Sequence, residues 1–518
     1  MMLKNKEKIC GLAAGLAVAV TFASGSGVLD LPRAEAVYNS ESDTDATILD
    51  YVENSKRTAR ENALNEDQKQ LLLDAYEMKE NLREPLDPTK NVPVAVEGDE
   101  LFYDENTGDF VVQGNVVMTS LDKRRFITEH ADGNLASQDV QVDDKAYMLQ
   151  LTDAQARIIL NGYKTQYNWG KETGKMENAE GKIDHQYVKA KRIEFYPDKV
   201  VLYNASATKC SAKNPDYHMT AKKIEYYPGI QTISYGVSYW LGSIPVYSVP
   251  KQVSKEGDKG PYMPKASYDN DKGFAIKDTH YFPVMDNVNA YYDWILAQKT
   301  KFTSHGGLIY TTKGIGTFKL QSGFFEDSDA KWIHKAPNFR WDYSLRIGKA
   351  PFTYIFAYER GAWTQNDRCS MHTYYKAGIS IDPIRLGTWR VYPSISYDIT
   401  DESYNESRVK GMGYDITALK EFDDRWVTYL GYHYSESNSQ NSVFDFDLDS
   451  YSKKITAGFS YTFSPKDRIV VGWAFDGMTN KLMDTDYYWY HNIHCAELIV
   501  RYREKRDQYR ITLQFTPW

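Results

Sequence analysis

The feature that most constrains this chain is a regular alternation of large apolar side chains with small or polar ones, which recurs from Tyr262 to Trp518. A hairpin near the end shows it most clearly. Its first strand alternates one set of residues, Ile455, Ala457, Phe459, Tyr461 and Phe463, with a second set, Lys454, Thr456, Gly458, Ser460 and Thr462. A turn follows at 464–467. The second strand alternates Ile469, Val471, Trp473 and Phe475 with Val470, Gly472, Ala474 and Asp476. Because side chains two apart in a strand share a face, each strand has one large apolar face and one small or polar face.

Two architectures use such strands. A transmembrane barrel turns the apolar face to lipid and the polar face to water, whereas a soluble sandwich buries the apolar face between two sheets. The alternation persists over 257 residues, and the chain holds 41 Tyr and 11 Trp, whose rings favour membrane interfaces. We therefore predict an all-β fold with an outer-membrane antiparallel β-barrel over 251–518, of roughly 14–16 strands at about 9–11 residues each.

The first residues predict export. Lys4, Lys6 and Lys8 precede an apolar run from Cys10 to Ala23, and the small-residue site 34–36 follows. This pattern is typical of a signal peptide, which we place at 1–36. The alternative is a single anchoring helix, but the run is shorter than the ~20 residues that span a membrane. The formal net charge of -8 gives no indication of a nucleic-acid partner.

Residues 37–95 are charged and carry little strand signal, so we predict a linker with one amphipathic helix. Apolar residues share one helical face at Leu64, Leu71, Ala75, Met78 and Leu82. Pro85 and Pro88 would end that helix.

Residues 96–250 contain a weak repeat of short strands and turns. The segment Ala190–Pro197 recurs 31 residues later as Ala221–Pro228, and looser copies begin at Gly98 and Gly162. A repeat of this size indicates stacked supersecondary units. We predict an elongated β-jellyroll with an apolar inner face.

The last strand alternates Tyr509, Ile511, Leu513 and Phe515 with polar residues, and the chain stops at Trp518. An aromatic final strand resembles the C-terminal signal that barrel-assembly machinery recognises in outer-membrane proteins. Pro517 cannot donate a ladder hydrogen bond, so Phe515 is the better candidate for the signal aromatic residue.

Several motifs resemble the LptD/OstA family of lipopolysaccharide-assembly proteins. The repeats look like its OstA-type jellyroll, and three stretches are similar to the family's junction between jellyroll and barrel: 207–210, 217–224 and 242–250. Segments similar to its first barrel strands and C-terminal motif lie at 264–268, 272–274, 492–497, 501–503 and 507–510. The resemblance covers about residues 96–290 and 485–518; the middle of the barrel matches only in pattern.

The resemblance implies lipopolysaccharide transport into the outer leaflet of the outer membrane. Acyl chains would pass along the jellyroll groove in the periplasm, and the lipid would leave through a seam between the first and last barrel strands. The implied partners are lipopolysaccharide, outer-membrane lipid, a periplasmic OstA-like bridge protein, the barrel-assembly machinery and a plug lipoprotein, although this short barrel leaves little room for a plug. The alternative is an outer-membrane diffusion channel.

The expected site residues follow from the same resemblance. The lateral gate is expected at Pro250, Pro264 and Phe515, since a proline removes a ladder donor and weakens a seam. The residues expected to line the lipid groove are Leu101, Tyr103, Ile193, Phe195, Ile224 and Tyr226. Ordinary core packing is the alternative for these six. No catalytic motif is recognisable, so we expect no enzyme activity, no cofactor and no metal.

Removal of the signal peptide leaves three cysteines, Cys210, Cys369 and Cys495. An exported chain meets an oxidising compartment, and the residues alone allow three pairings with one cysteine left over. The family resemblance implies the pair Cys210–Cys495, whereas Cys369 has no recognised counterpart.

Overall fold

The computed structural model describes residues 43–63, 65–80, 94–121, 123–151, 157–184, 186–210, 214–255, 265–285, 287–312, 314–327, 331–346, 348–446, 452–493 and 495–515. These residues form two compact units. One contains residues 61–255, and the other combines residues 43–60 with residues 265–515. The predicted signal peptide lies outside the described residues.

Two helices occupy the region where one was predicted: α1, Ile48–Asn62, and α2, Glu66–Glu80. Reciprocal hydrogen bonds between Asn65 and Gln68 close the start of α2 (Gln68 N to Asn65 Oδ1, 2.8 Å; Asn65 N to Gln68 Oε1, 3.1 Å). The buried Leu71 of α2 packs on Leu149 and Leu151. Neither helix in the described part of the chain is long and apolar enough to cross a membrane.

The first unit is built on one antiparallel sheet of thirteen strands. The strands are β1 Val94–Glu97, β2 Glu100–Tyr103, β3 Asp109–Ser120, β4 Arg124–Asn134, β5 Asp139–Val142, β6 Ala146–Leu151, β7 Arg157–Asn168, β8 Thr173–Ile183, β9 Gln186–Phe195, β10 Val200–Thr208, β11 Tyr217–Tyr227, β12 Gln231–Leu241 and β13 Ile244–Lys255. From β7 onwards each strand pairs with the next one in sequence, so the sheet grows as a meander.

A row of bends crosses the middle of this sheet. Asn178, Asn204 and Gly236, on β8, β10 and β12, have left-handed φ angles of 46°, 47° and 60°. On β9 the buried Ala190 and Ile193 are separated by two exposed residues, which interrupts the alternation. Both halves of such a strand therefore present their buried side chains to the same apolar interior. The coarser prediction, an all-β unit with an apolar inner face, is confirmed; the jellyroll itself stays a prediction.

The second unit contains a closed antiparallel barrel. Its strands are β14 Lys265–Asp269, β15 Gly273–Met285, β16 Val288–Ala297, β17 Lys301–Thr312, β18 Gly316–Glu326, β19 Trp332–Arg346, β20 Phe352–Gln365, β21 Arg368–Ile381, β22 Ile384–Leu386, β23 Trp389–Glu402, β24 Ser407–Glu421, β25 Trp426–Ser435, β26 Lys453–Thr462, β27 Asp467–Asp476, β28 Lys481–Asn492, β29 Ala496–Arg503 and β30 Gln508–Phe515. The three-residue β22 only extends β23, which pairs directly with β21. Sixteen strands therefore form the wall, within the predicted range.

The two faces of the wall differ as the alternation predicts. On β26 Ile455 is 39% exposed, whereas the neighbouring Thr456 is fully buried. On β28 Tyr487 and Trp489 point outwards and are exposed, while Tyr488 and Tyr490 point inwards and are buried. Large apolar side chains therefore cover the outside of the barrel, as lipid contact requires.

Candidate functional site: the barrel lumen and its seam

The barrel closes through a pairing between its first and last strands. Among the described residues, β14 and β30 share four residue pairs, from Ala266–Leu513 to Asp269–Arg510. β15 is thirteen residues long, and its first five residues pair with the described residues of β14. We call the junction of β14 and β30 the seam.

Polar contacts reinforce one end of the seam, at the rim that carries the turns 270–272 and 504–507, which we call the far rim. The side chain of Asn270 donates to the Asp507 carbonyl at 2.8 Å and accepts from the Tyr509 amide at 3.3 Å. Arg510 Nε lies 3.4 Å from Asp269 Oδ2. The described part of the seam is thus held mainly near the far rim.

A segment from the start of the described chain lies inside the barrel. We call residues 43–60 the lumen segment. Its apolar residues Ala46, Ile48, Leu49 and Val52 are at most 2% exposed. They pack against inward-facing side chains of β24, β25, β27 and β28, namely Leu419, Val427, Tyr429, Val470, Tyr488 and Tyr490. Burying each larger apolar side chain stabilises the docked segment by roughly 1.5–3 kcal/mol, an upper estimate.

Two glycines make room for this segment. Gly458 and Gly472 are paired across β26 and β27. A Cβ on Gly472 would lie 2.7 Å from Thr44 Oγ1 and 2.8 Å from Ala46 Cβ. A Cβ on Gly458 would lie 2.5 Å from the ring of Tyr429, which donates a hydrogen bond to the Thr44 carbonyl. The residues just before α1 therefore pack directly on the backbone of the inner wall, where these glycines have no side chain.

Three aspartates of the lumen segment pair with basic side chains of the wall. Asp43 contacts Arg506 and lies 3.3 Å from Arg503 Nη2. Asp45 Oδ1 lies 3.6 Å from Lys454 Nζ. Asp50 Oδ1 accepts a hydrogen bond from Arg468 Nη2 at 2.5 Å, and its other oxygen accepts one from Tyr490 Oη at 2.7 Å. The negative charges of the lumen segment therefore lie opposite positive charges of the barrel wall at these three positions.

The contacts run from one rim to the other. Arg503 and Arg506 lie at the far-rim end of β29, whereas Arg468 begins β27 at the opposite rim. Beyond Asp50, Lys56 Nζ lies 3.2 Å from Glu421 Oε2, at the end of β24. The lumen segment therefore follows the inner wall along the depth of the barrel.

Burial and neighbouring charge act in opposite directions on Asp45. Burial raises the pKa of this carboxyl, but Lys454 and His433 lower it more, so that the pKa falls to about 2. His433 Nε2 lies 2.7 Å from Asp45 Oδ2, and its Nδ1 lies 2.7 Å from Asp415. Asp45 therefore remains ionised when the segment is docked.

A second segment folds inward from the far rim. Residues 436–446, the rim loop, follow β25 and pack on the wall at β18–β21. Val443, Phe444 and Phe446 form a buried cluster with Ile333 and Trp363. The Val443 carbonyl accepts a hydrogen bond from Arg368 at 2.9 Å, and the Asp445 amide donates to Gln365 at 3.1 Å. The rim loop thus covers part of the mouth of the barrel.

Comparisons with known proteins are limited to the barrel fold. The sequence matches no protein-family description and no curated protein. Among solved structures, a triple mutant of the Rhodopseudomonas blastica porin is similar at 10% identity, covering 49% of this chain and 96% of the porin with a TM-score of 0.27. Another mutant of the Rh. blastica porin has 9% identity, the same coverage and a TM-score of 0.26. Similarity at this level does not distinguish among functions of barrel proteins.

The structure pairs the cysteines as the family resemblance implies. Cys210 and Cys495 are both disulfide-bonded, whereas Cys369 is free and exposed. Among the described cysteines the bond therefore joins Cys210 to Cys495, which confirms the predicted pair.

The expected gate residues fall in three different places. Pro250 lies in β13, the edge strand of the thirteen-stranded sheet, and not in the first barrel strand. Pro264 lies outside the described residues. Phe515 ends β30, where it pairs with Ala496 of β29, two residues beyond the last pair with β14. The role of each in a gate stays a prediction.

The six expected groove residues divide into two groups. Ile193, Phe195 and Ile224 are buried on the inner face of the sheet, and Tyr226 is half-buried opposite Val200. Leu101 and Tyr103 are about half exposed, on β2, and so lie outside that buried face. The first strand of the repeat is too short and peripheral to share the interior. Contact with lipid stays a prediction for all six.

Sequence reasoning missed the lumen segment because its helix was assigned to a linker. The available signal was the inner face of the 455–475 hairpin, where Gly458 and Gly472 stand among the small and polar residues. A second signal was the presence of Asp43, Asp45 and Asp50 close to the apolar residues Ile48, Leu49 and Val52.

Proposed function

We propose that this chain transports lipopolysaccharide into the outer leaflet of the outer membrane. The observation that carries the proposal is the combination, in one chain, of a thirteen-stranded sheet with an apolar inner face and a closed barrel whose first and last strands meet at a seam. The barrel considered alone favours a simpler function, an outer-membrane diffusion channel. The thirteen-stranded sheet favours an amphiphilic cargo.

The interior of the sheet suits acyl chains. Its inner face carries Met176, Ile193, Leu202 and Ile224 at one level of consecutive strands β8 to β11, each at most 4% exposed. An acyl chain loses roughly 0.8 kcal/mol for each methylene left in water, so it needs such a lining while it crosses an aqueous compartment. We assign the sheet to the periplasm on this ground.

The seam suits lateral release. Residues 278–285 of β15 extend beyond its pairing with the described residues of β14. Near the end of that stretch Phe282, Val284 and Met285 are exposed apolar side chains, between 51% and 66% accessible. In this proposal a polar head group uses the lumen while the acyl chains leave between β14 and β30, the two strands whose pairing closes the ring.

The edge of the sheet suits the periplasmic partner. Among the described strands, β2 pairs with β3 alone, and it carries Leu101, Phe102 and Tyr103, all exposed. An exposed edge of this kind can take up a strand of another protein through main-chain hydrogen bonds. We propose that an OstA-like bridge protein docks here, and that β30 is the strand read by the barrel-assembly machinery.

The second candidate is the diffusion channel. The closed ring of sixteen strands and its polar inner wall favour it, because water-filled barrels have such walls. The lumen segment and the rim loop count against a permanently open pore, since both lie within the ring.

The test combines depletion with a seam lock. Depletion of the chain should remove lipopolysaccharide from the cell surface and accumulate it inside. Ser267 and Thr512 face each other across the seam, so Ser267→Cys with Thr512→Cys, in a Cys369→Ser background, should form a lock that stops transport when oxidised and releases it when reduced. The matched control is Ser380→Cys with Ser394→Cys, a facing pair on β21 and β23.

The outcomes separate the two functions. If depletion left surface lipopolysaccharide normal but slowed the uptake of small solutes, the chain would be a diffusion channel. That result would contradict the transport proposal. If the seam lock and the control lock reduced transport equally, release of lipid between β14 and β30 would be contradicted.

A further inference from the structure

The wall beneath the lumen segment is rich in buried cations. Arg468, Arg503 and Lys454 have side chains 8%, 1% and 6% exposed, and Arg506 is about one-third exposed. Charged side chains that are removed from water need an opposite charge. We call these four residues the basic track.

Part of the required negative charge comes from the wall itself. Arg503 Nε lies 3.4 Å from Asp486 and 3.8 Å from Asp484, and Arg506 Nε lies 3.4 Å from Asp484. The lumen segment supplies further carboxylates: Arg468 pairs with Asp50, and Lys454 Nζ lies 3.6 Å from Asp45. Undocking of the segment would therefore leave cations inside the barrel without these carboxylates.

We propose that the basic track is a binding site for a phosphorylated, anionic ligand, and that the lumen segment occupies it as an internal substitute for that ligand. The carboxylates of Asp43, Asp45 and Asp50 stand where phosphate oxygens would accept the same hydrogen bonds. Arginine is suited to both groups, because its planar fork donates two parallel hydrogen bonds to a carboxylate or a phosphate. The inference goes beyond the proposed function, since it holds whichever cargo the barrel carries.

The local structure allows exchange. The segment reaches the barrel wall through side chains and one close backbone approach at Gly472, and it adds no strand to the barrel. Its polar contacts are charged, and these contacts are what a competing anion replaces. Undocking would also expose the apolar residues of the segment to water. A ligand must therefore bind with enough free energy to offset the loss of that burial.

The experiment measures how often the segment leaves the wall. Leu49→Cys, in the full-length chain with Cys369→Ser, places a thiol at a position that is 1% exposed when the segment is docked. The rate of maleimide labelling then reports undocking, and Val52→Cys serves as a second reporter. The probes are inorganic phosphate and a short-chain phosphatidic acid, each compared with chloride at equal ionic strength.

Phosphate should accelerate labelling beyond the effect of chloride. Neutralising the segment with Asp43→Asn, Asp45→Asn and Asp50→Asn should raise the basal rate by about tenfold or more and lower the phosphate concentration that gives half the maximal effect. Arg468→Gln should also raise the basal rate but abolish most of the phosphate effect. Arg408→Gln is the matched control, because Arg408 pairs with Asp401 in an exposed position.

Acceleration by both probes supports a site for the phosphate group itself, and acceleration by phosphatidic acid alone supports a site for a phosphorylated lipid. No acceleration by either probe, in chains whose neutralised segment labels quickly, would overturn the proposal. It would also be overturned if the neutralised segment labelled as slowly as the parent, because charge would then not hold it.

Discussion

Gly458 and Gly472 stand opposite each other on neighbouring strands, and the lumen segment packs on the backbone that they leave bare. Gly472→Val should push Thr44 and Ala46 off the wall, because even its Cβ falls within 2.8 Å of both residues. Overpacking of this kind costs about 1–3 kcal/mol. Faster labelling of Leu49→Cys would measure the loss of docking.

The control for that substitution is Gly314→Ala. A Cβ there would meet no atom within 4 Å, so the labelling rate should not change. Equal rates in the parent and in Gly472→Val would contradict the close packing of the segment.

Tyr490→Phe should loosen the segment at the opposite end. It removes the hydrogen bond from Tyr490 Oη to Asp50, which is 2.7 Å long and largely shielded from water. Loss of a hydrogen bond to a charged group costs about 1.5–3 kcal/mol. Labelling of Val52→Cys should rise accordingly, whereas Tyr502→Phe, at an exposed hydroxyl 3.4 Å from Asp507, should have no effect.

Acid should weaken docking through Asp45. Burial raises its pKa, but Lys454 and His433 lower it to about 2, from an ordinary value of 3.8. A lowered pKa means that the contribution is complete above about pH 4 and is lost as the pH falls through about 2, with a total of about 2 kcal/mol. Pepsin cleavage of the segment measures this, and its rates in the parent and in Asp45→Asn should converge between those pH values. A constant ratio of rates would contradict the assignment.

Trp363→Ala should release the rim loop. The indole of Trp363 is 4% exposed and contacts Phe444 and Phe446, and Lys335 Nζ lies 3.8 Å above its ring. Truncation of a buried tryptophan costs about 3–5 kcal/mol. Chymotrypsin should then cut at 444–446 much faster than in the parent. Tyr404→Ala, at an exposed residue, should leave cleavage unchanged.

The disulfide gives a direct electrophoretic test. Cys495→Ser should abolish the mobility change that reductant produces, and Cys369→Ser should preserve it, because Cys369 takes no part in the disulfide. The bond closes a loop of about 285 residues, which would destabilise the unfolded chain by on the order of 5 kcal/mol in the chain-entropy model. Identical mobility with and without reductant in the parent would contradict the pair.

The barrel could be predicted from sequence because alternation acts locally. Thr456 and Ile455 differ in exposure as their positions in the strand require. The range of roughly 14–16 strands came from the length that a membrane strand needs. The lumen segment could not be predicted in this way. Its partners, such as Asp43 and Arg506, are 463 residues apart, and no local pattern records which inner wall an amphipathic helix covers.

The contact between Asp43 and Arg506 also constrains how the barrel is made. The residues at the start of the described chain contact the turn just before the last strand, so this contact waits until almost the whole wall exists. Contacts so distant in sequence form slowly. A wall that closes first would have to admit the segment through a rim, whereas a wall that is still open at β14 and β30 can receive it from the side. The seam between β14 and β30 therefore also offers a route by which the barrel can close around its own beginning.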